Sequence, residues 1–561
     1  MKFSVSLVVG LFVSLPAFAD KPFSNLDSLK SSLGFSEYYE TERDVRSRKL
    51  KIAVLDKGFT GYKNEIGRTL PKNTRYVAGP VASPADLKVE HGLRMAQILT
   101  AFMTDDMEAN QWAPELTLYN VFGYSNLKSA IDEIIANKVD LVLYSEVWEY
   151  GGNFDGTGFI NEQINRATKN GVIWVNAAGN FGLTTYNSKI ETLDESWVRL
   201  PDQNNALTIR CDAKKGGKCP IKIVLSWNDF KNDVNLGTKK DLDLALTDDL
   251  LNILQSSALK QTTEDADDRP GYSKYPREII QAEVKAGTYY IRVKNRSNNF
   301  KDRDQLRITV DGENLSMPSH STDENLLNPA DNTSVITVGA SDSDRSSTSR
   351  RLGKPDITAP SAIEISDGGE YRGSSNSAAI VAAGLGLLKS SKPKWTRKDL
   401  LKAVTQGQGS GSYGRGLSLQ DLGFRPTGHN CFQPAMIEVP PYLYEAIRNG
   451  GDLVLTTASV RVLVPFDPIR LAPYLRRQSA NDMVVALPQG GYGVFQRYGY
   501  IVPGAVEIFQ APQEAGLCTP SNRGSYSGTS GSFRLPYVKS GTSKQPDEPD
   551  QPDTPGKPEP L

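Results

Sequence analysis

From Lys51 onward the chain alternates short apolar runs with longer segments whose apolar residues recur every three or four positions. The runs at residues 51–55, 116–121, 139–144 and 172–176 each end in a turn or a Gly-rich segment, which predicts buried strands. Between them, residues 92–103, 127–137 and 158–170 carry the helical period. Strand and helix in alternation predict an α/β fold, a doubly wound and mostly parallel sheet with working groups at the carboxyl ends of its strands.

The pattern changes after Asn180. Short β segments follow at 206–210, 221–227, 242–246, 278–284, 288–293 and 306–310, separated by turns rich in Asp, Asn, Lys and Gly, and this texture predicts an antiparallel sandwich. The α/β texture resumes at 334–338 and continues through a small-residue helix at 375–390 and another helix at 396–404. The expected division is a signal peptide at 1–19, a short segment at 20–48, an α/β domain in two parts at 49–195 and 314–420, and an inserted sandwich at 196–313. A C-terminal β-rich domain at 428–538 and a disordered Pro- and acid-rich tail at 539–561 complete it.

A length of 561 residues accommodates several such domains. Lys and Arg total 64 against 65 Asp and Glu, so no global positive field exists to hold nucleic acid. The three His and four Cys have no metal-ligand spacing, which argues against a His/Cys metal site. Lys2, an apolar run at 5–15 and Ala17-Phe18-Ala19 form a cleavable export signal, expected to leave Asp20 as the mature start. That run is too short to span a bilayer core of about 30 Å, so the expected address is periplasmic or extracellular, without a transmembrane segment. In such an oxidising compartment Cys211 and Cys219, which bracket DAKKGGK, are the nearest pair, leaving Cys431 and Cys518 for each other. Four cysteines allow three connectivities, and proximity ranks this one first.

Four segments place a polar residue at a strand exit or helix entrance. Asp56 ends KIAVLD, His91 opens the helix HGLRMAQILTAF, Asn180 follows the strand GVIWVNAAG, and Ser375 lies in Gly373-Ser374-Ser375 at the mouth of an Ala- and Gly-rich helix. Taken singly, a turn aspartate, a capping histidine, a turn asparagine and a serine N-cap are the common uses of such residues. Taken together, they can supply a nucleophile, a base, its orienting carboxylate and an oxyanion donor.

In that order the four residues resemble the subtilisin-like serine proteases, or subtilases. KPDITAPS at 354–361 and NTSVITVGASD at 332–342 resemble two further segments of that family, and the resemblance spans residues 50–184 and 318–405. It implies a secreted serine endopeptidase acting on proteins or peptides through Asp56, His91 and Ser375, with Asn180 in the oxyanion hole. It also implies that residues 141–148 form a substrate-binding edge, with Ser145, Glu146 and Trp148 contacting the peptide. No cofactor is required for the chemistry. Asp241 and Asp243 in the DLDL run offer ligands for a structural Ca²⁺, although solvated turn acids are the commoner use of such residues. The sequence departs from the family pattern at Lys57, Leu93 and Ala379, and Lys57 stands where it could compete for Asp56. The segment before the first strand is shorter than the family's usual prodomain. Two other readings stay open, an inactive subtilase-fold binding or adhesion protein and acyl transfer by the same triad; the oligomeric state is left undetermined.

Overall fold

The computed structural model describes residues 23–419 apart from 43–48, 84–87, 105–112, 215, 265, 267–268, 366–368, 406–414 and 418, together with the backbone of seven strands between residues 436 and 534. Two compact units divide the chain, one of residues 1–35 and 45–419 and the other of residues 36–44 and 420–561.

The first unit is built on eight parallel strands. In spatial order they are Arg75–Val77, Glu115–Asn120, Lys51–Asp56, Leu141–Tyr144, Ile173–Ala177, Ile336–Ala340, Ile357–Ala359 and Arg415–Gly416. Both faces of the central strands Leu141–Tyr144, Ile173–Ala177 and Ile336–Ala340 are covered, which explains why these read as unbroken apolar runs, whereas the edge strand Arg75–Val77 is largely exposed. Ala53, Leu55, Val142 and Trp174 pack beneath Leu127, Ile131 and Ile134 of the Tyr124–Ala136 helix and Ile160 and Ile164 of the Phe159–Lys169 helix. The opposite face carries the His91–Met103 and Ser374–Ser391 helices, which pack against each other. Ser374–Ser391 is buried nearly all round. Its small residues permit that approach: a Cβ on Gly386 would stand 3.1 Å from Met103 Cε and 3.6 Å from Ile52 Cδ1. Thr396 caps the next helix, Arg397–Val404, through a reciprocal bond pattern with Asp399, so this helix starts one residue later than its sequence pattern suggests.

The interruption is an antiparallel sandwich. One sheet orders Ile253–Ser257, Leu242–Thr247, Gly287–Asn295, Leu207–Cys211 and Leu315–Ser316; the other orders Arg277–Lys285, Lys218–Trp227, Gln305–Asp311 and Thr185–Lys189. Leu242, Leu244 and Leu246 alternate into a shared core with Ile223, Leu225, Trp227, Ile291 and Ile308. Thr185–Lys189 and Leu315–Ser316 extend sheet membership past both ends of the expected 196–313 span. The sequence TYNSK has no apolar period and so carried no strand signal. Cys211 and Cys219 are joined, with their Cα atoms 5.8 Å apart.

In the second unit, Met436–Val439, Gly504–Gln510, Gly491–Arg497 and Met483–Ala486 form one antiparallel sheet, and Leu453–Thr456, Val460–Val464 and Gly531–Arg534 form another. Residues 1–19 and 539–561, Cys431 and Cys518 lie outside the described residues. Among the described residues, no helix is long and apolar enough to cross a membrane.

Candidate active site

Chain order in the sheet reverses around Lys51–Asp56, whose neighbours are Glu115–Asn120 and Leu141–Tyr144. A crevice opens at the carboxyl end of a strand in this position. Asp56 sits there, fully buried. Its Oδ1 accepts the Lys57 backbone N–H at 2.8 Å, and its Oδ2 lies 2.7 Å from His91 Nδ1. His91 reaches it because the next residue has no side chain: a Cβ on Gly92 would fall 2.5 Å from Asp56 Cβ and 2.7 Å from the Gly58 carbonyl oxygen. The Gly92 N–H also donates to that carbonyl, tying the helix start to the loop after the strand.

Burial pulls the His91 pKa down, but the charge and hydrogen bond of Asp56, helped by Glu146, outweigh it and hold the imidazole at about 9. Lys57 does not compete for Asp56. Its ammonium turns to Glu146 Oε2 at 2.7 Å, while Glu146 Oε1 lies 4.0 Å from His91 Nδ1. Asp56, His91 and Glu146 form the one group of potential metal ligands among the described residues, with ligand atoms within 4.8 Å of one another. A cation there would have to displace both the Asp56–His91 bond and the Lys57 ammonium. Asp243 pairs with Arg296 at 3.0 Å, and Asp241 and Asp243 join no such ligand group.

Ser375 enters from the far side of the crevice on the first turn of the Ser374–Ser391 helix. Its Oγ–H donates to the Ser145 carbonyl at 3.0 Å. Ser374 anchors the turn: its N–H and hydroxyl donate to Asn180 Oδ1 at 3.0 and 3.2 Å, and its Oγ accepts the Gly179 N–H at 3.0 Å. These bonds fix the Asn180 amide, committing Oδ1 to Ser374 and leaving Nδ2 beside Gly373. Gly373 has φ +146°, and a Cβ there would stand 2.9 Å from Asn180 Nδ2.

His91, Ser145, Glu146, Asn180 and Ser375 line one cleft of about 820 Å³. Trp148 is not in its lining. The strand expected to reach it stops at Tyr144, after which the backbone N–H of Trp148 donates to the Asn328 carbonyl at 2.7 Å. Its indole N–H donates to the Tyr144 hydroxyl, also at 2.7 Å, and the ring packs edge-on against Tyr150. His320 lies at the sandwich junction with Nδ1 2.8 Å from the Met317 carbonyl, and His429 is outside the described residues.

Part of the cleft had no sequence signal. The sandwich contributes Lys222 and residues 310–313 to its wall. Lys222 pairs with Glu149 at 2.5 Å, and Ser226 Oγ–H donates to the Glu149 carbonyl at 3.2 Å, so the insert is bonded to the segment that follows Glu146.

Among solved structures, the chain is similar to the Clostridium perfringens CspB protease, at 14% identity and a TM-score of 0.45, covering 70% of this chain and 97% of that one. It is also similar to the nisin leader peptidase NisP from Lactococcus lactis, at 15% identity and a TM-score of 0.33, covering 70% and 92%. A third is MycP1 from Mycobacterium smegmatis, at 14% identity and a TM-score of 0.31, covering 72% and 84%. The comparison with curated proteins returns no match. The model of the subtilase family, Peptidase S8, matches residues 47–217 and 295–416, more than half of the sequence, and breaks within the sandwich. With that match on a parallel α/β body, the chain belongs to the subtilase family of serine-type endopeptidases.

Proposed function

We propose that this peptidase cleaves proteins or peptides through Asp56, His91 and Ser375, with Asn180 as an oxyanion donor, after export directed by residues 1–19. The observation that carries the reading is the 2.7 Å contact between His91 Nδ1 and a fully buried Asp56, on the cleft that also holds Ser375. Asp56 holds the imidazole with Nδ1 protonated, which leaves Nε2 as the atom that can take a proton. The Ser375 hydroxyl turns from Ser145 to Nε2, gives up its proton there, and Oγ attacks the scissile carbonyl. The resulting oxyanion accepts from Asn180 Nδ2. His91 then returns the proton to the departing amine, and water hydrolyses the acyl-enzyme by the same route in reverse.

An imidazolium cannot act as a base. With its pKa at about 9, His91 is largely charged at neutral pH, so the rate of acylation rises as pH increases through that value. The test is labelling by a fluorophosphonate probe between pH 6 and 10. Labelling of the parent protein, lost in Ser375→Ala and reduced at least a hundredfold in His91→Ala, is expected. Labelling that survives Ser375→Ala unchanged, or a parent protein that never labels, overturns the assignment.

A further inference from the structure

We infer that Lys57 and Glu146 form a positioning pair that keeps a second carboxylate off His91 and sets how tightly the imidazole holds its proton. The inference rests on His91 being the base. Two carboxylates face this imidazole and Nδ1 carries one hydrogen, so only one of them can take it. Asp56 Oδ2 takes it at 2.7 Å, and Glu146 Oε1 waits at 4.0 Å. Residue 57 sorts the two: its backbone N–H binds Asp56 Oδ1 at 2.8 Å, and its ammonium binds Glu146 Oε2 at 2.7 Å. Asp56 is thereby presented to His91 by its free oxygen, while Glu146 is held from behind and its charge is partly cancelled.

The surroundings leave this pair in control. Beside Glu146 lies the Tyr144 phenol, which burial keeps neutral, and its oxygen accepts the Trp148 indole N–H. Glu149 acts on Lys57 from a distance but is itself paired with Lys222 at 2.5 Å. Burial raises the Glu146 pKa while Lys57 pulls it down, and burial lowers the Lys57 pKa while Glu146 more than restores it, so each member favours the charged form of the other. On His91 they act in opposite directions, Glu146 raising its proton affinity and Lys57 lowering it.

Neighbouring charges at this range shift a pKa by roughly 1–3 units, and the half-exposed Lys57 side chain places its effect at the lower end. Lys57→Met leaves Glu146 uncompensated and is expected to move the acid limb of the labelling profile upward by about one pH unit. Glu146→Gln is expected to move it downward by about the same amount. The double variant should return close to the parent profile, and Lys57→Arg should preserve it. The imidazole titration is followed in parallel by NMR in a Ser375→Ala background, where no activity is needed. Opposite shifts of the His91 titration in the two single variants sustain the inference even if the parent never labels, an outcome that would overturn only the serine mechanism. Coincident titrations in all variants, or shifts of one sign, overturn the inference while leaving the triad assignment intact.

Discussion

Arg307 couples the inserted sandwich to the catalytic body, and removing it should unseat one wall of the cleft. The residue lies on the Gln305–Asp311 strand, three positions before the lining residue Val310. Its guanidinium, in a side chain only 4% exposed, donates from Nε to Asn187 Oδ1 at 2.7 Å, from Nη1 to the Leu326 carbonyl at 2.5 Å and from Nη2 to the Glu324 carbonyl at 2.9 Å. The group also stacks 4.2 Å over the Phe154 ring. Burial lowers its pKa to about 10, so it remains charged at neutral pH. Arg307→Met keeps much of the volume but removes three donated bonds, and of the three acceptors the Glu324 carbonyl retains a second donor, Asn187 Nδ2 at 2.9 Å. Each such loss costs about 1–3 kcal/mol, offset in part because a buried charge no longer has to be desolvated, for a net cost of about 3–5 kcal/mol. At about 2 °C per kcal/mol, the low end of the range for sizeable domains, the melting temperature should fall by roughly 6–10 °C. Arg307→Lys, which retains the charge but lacks the planar fork, should fall between. Differential scanning calorimetry is the assay, paired with peptide cleavage to compare the effect on the cleft. An Arg307→Met protein that melts within about 2 °C of the parent would refute the reasoning.

Two further outcomes follow from contacts that cannot easily yield. Gly92→Ala places a Cβ 2.5 Å from Asp56 Cβ and 2.6 Å from the Phe59 ring, so the helix start must move; about 1–3 kcal/mol of stability and at least tenfold in labelling rate should be lost, measured by melting and by the probe. Cys219→Ser opens the loop closed across a sequence separation of 8, worth about 2.5 kcal/mol in the chain-entropy model, and should lower the melting temperature by several degrees. In a Cys431→Ser/Cys518→Ser background, reduction should lower the melting temperature by the same amount, and equal melting of oxidised and reduced protein would count against that role.

Five of the eight parallel strands and the longer helices were legible because burial on both faces of a sheet, or on one side of a helix, imposes a period that needs no knowledge of partners; Arg75–Val77, Ile357–Ala359 and Arg415–Gly416 are too short to carry one. The sandwich strands with apolar alternation were legible for the same reason, whereas polar Thr185–Lys189 was not, since its place in the sheet comes from pairing with residues 305–309. Asp56, His91, Asn180 and Ser375 stood out because each sits where a regular element begins or ends; His91, Asn180 and Ser375 line one cleft, and Asp56 is buried behind His91. The strand expected at 141–148 was projected beyond Tyr144, where it ends and where Trp148 bridges to Asn328.

Local pattern thus encodes which segments are strands, their order in the chain and the positions of the four polar residues, since each depends on neighbours within a few positions. The partners of charged side chains are another matter. Lys57 had two carboxylates within reach, and the choice of Glu146, 89 residues away, depends on how the Lys51–Asp56 and Leu141–Tyr144 strands pair and where the second one stops. The fork of Arg307 likewise meets carbonyls that follow it by 17 and 19 residues only once the sandwich has docked. An ion pair or a buried donor is selected by distances of a few ångströms in three dimensions, and no period along one dimension carries that information.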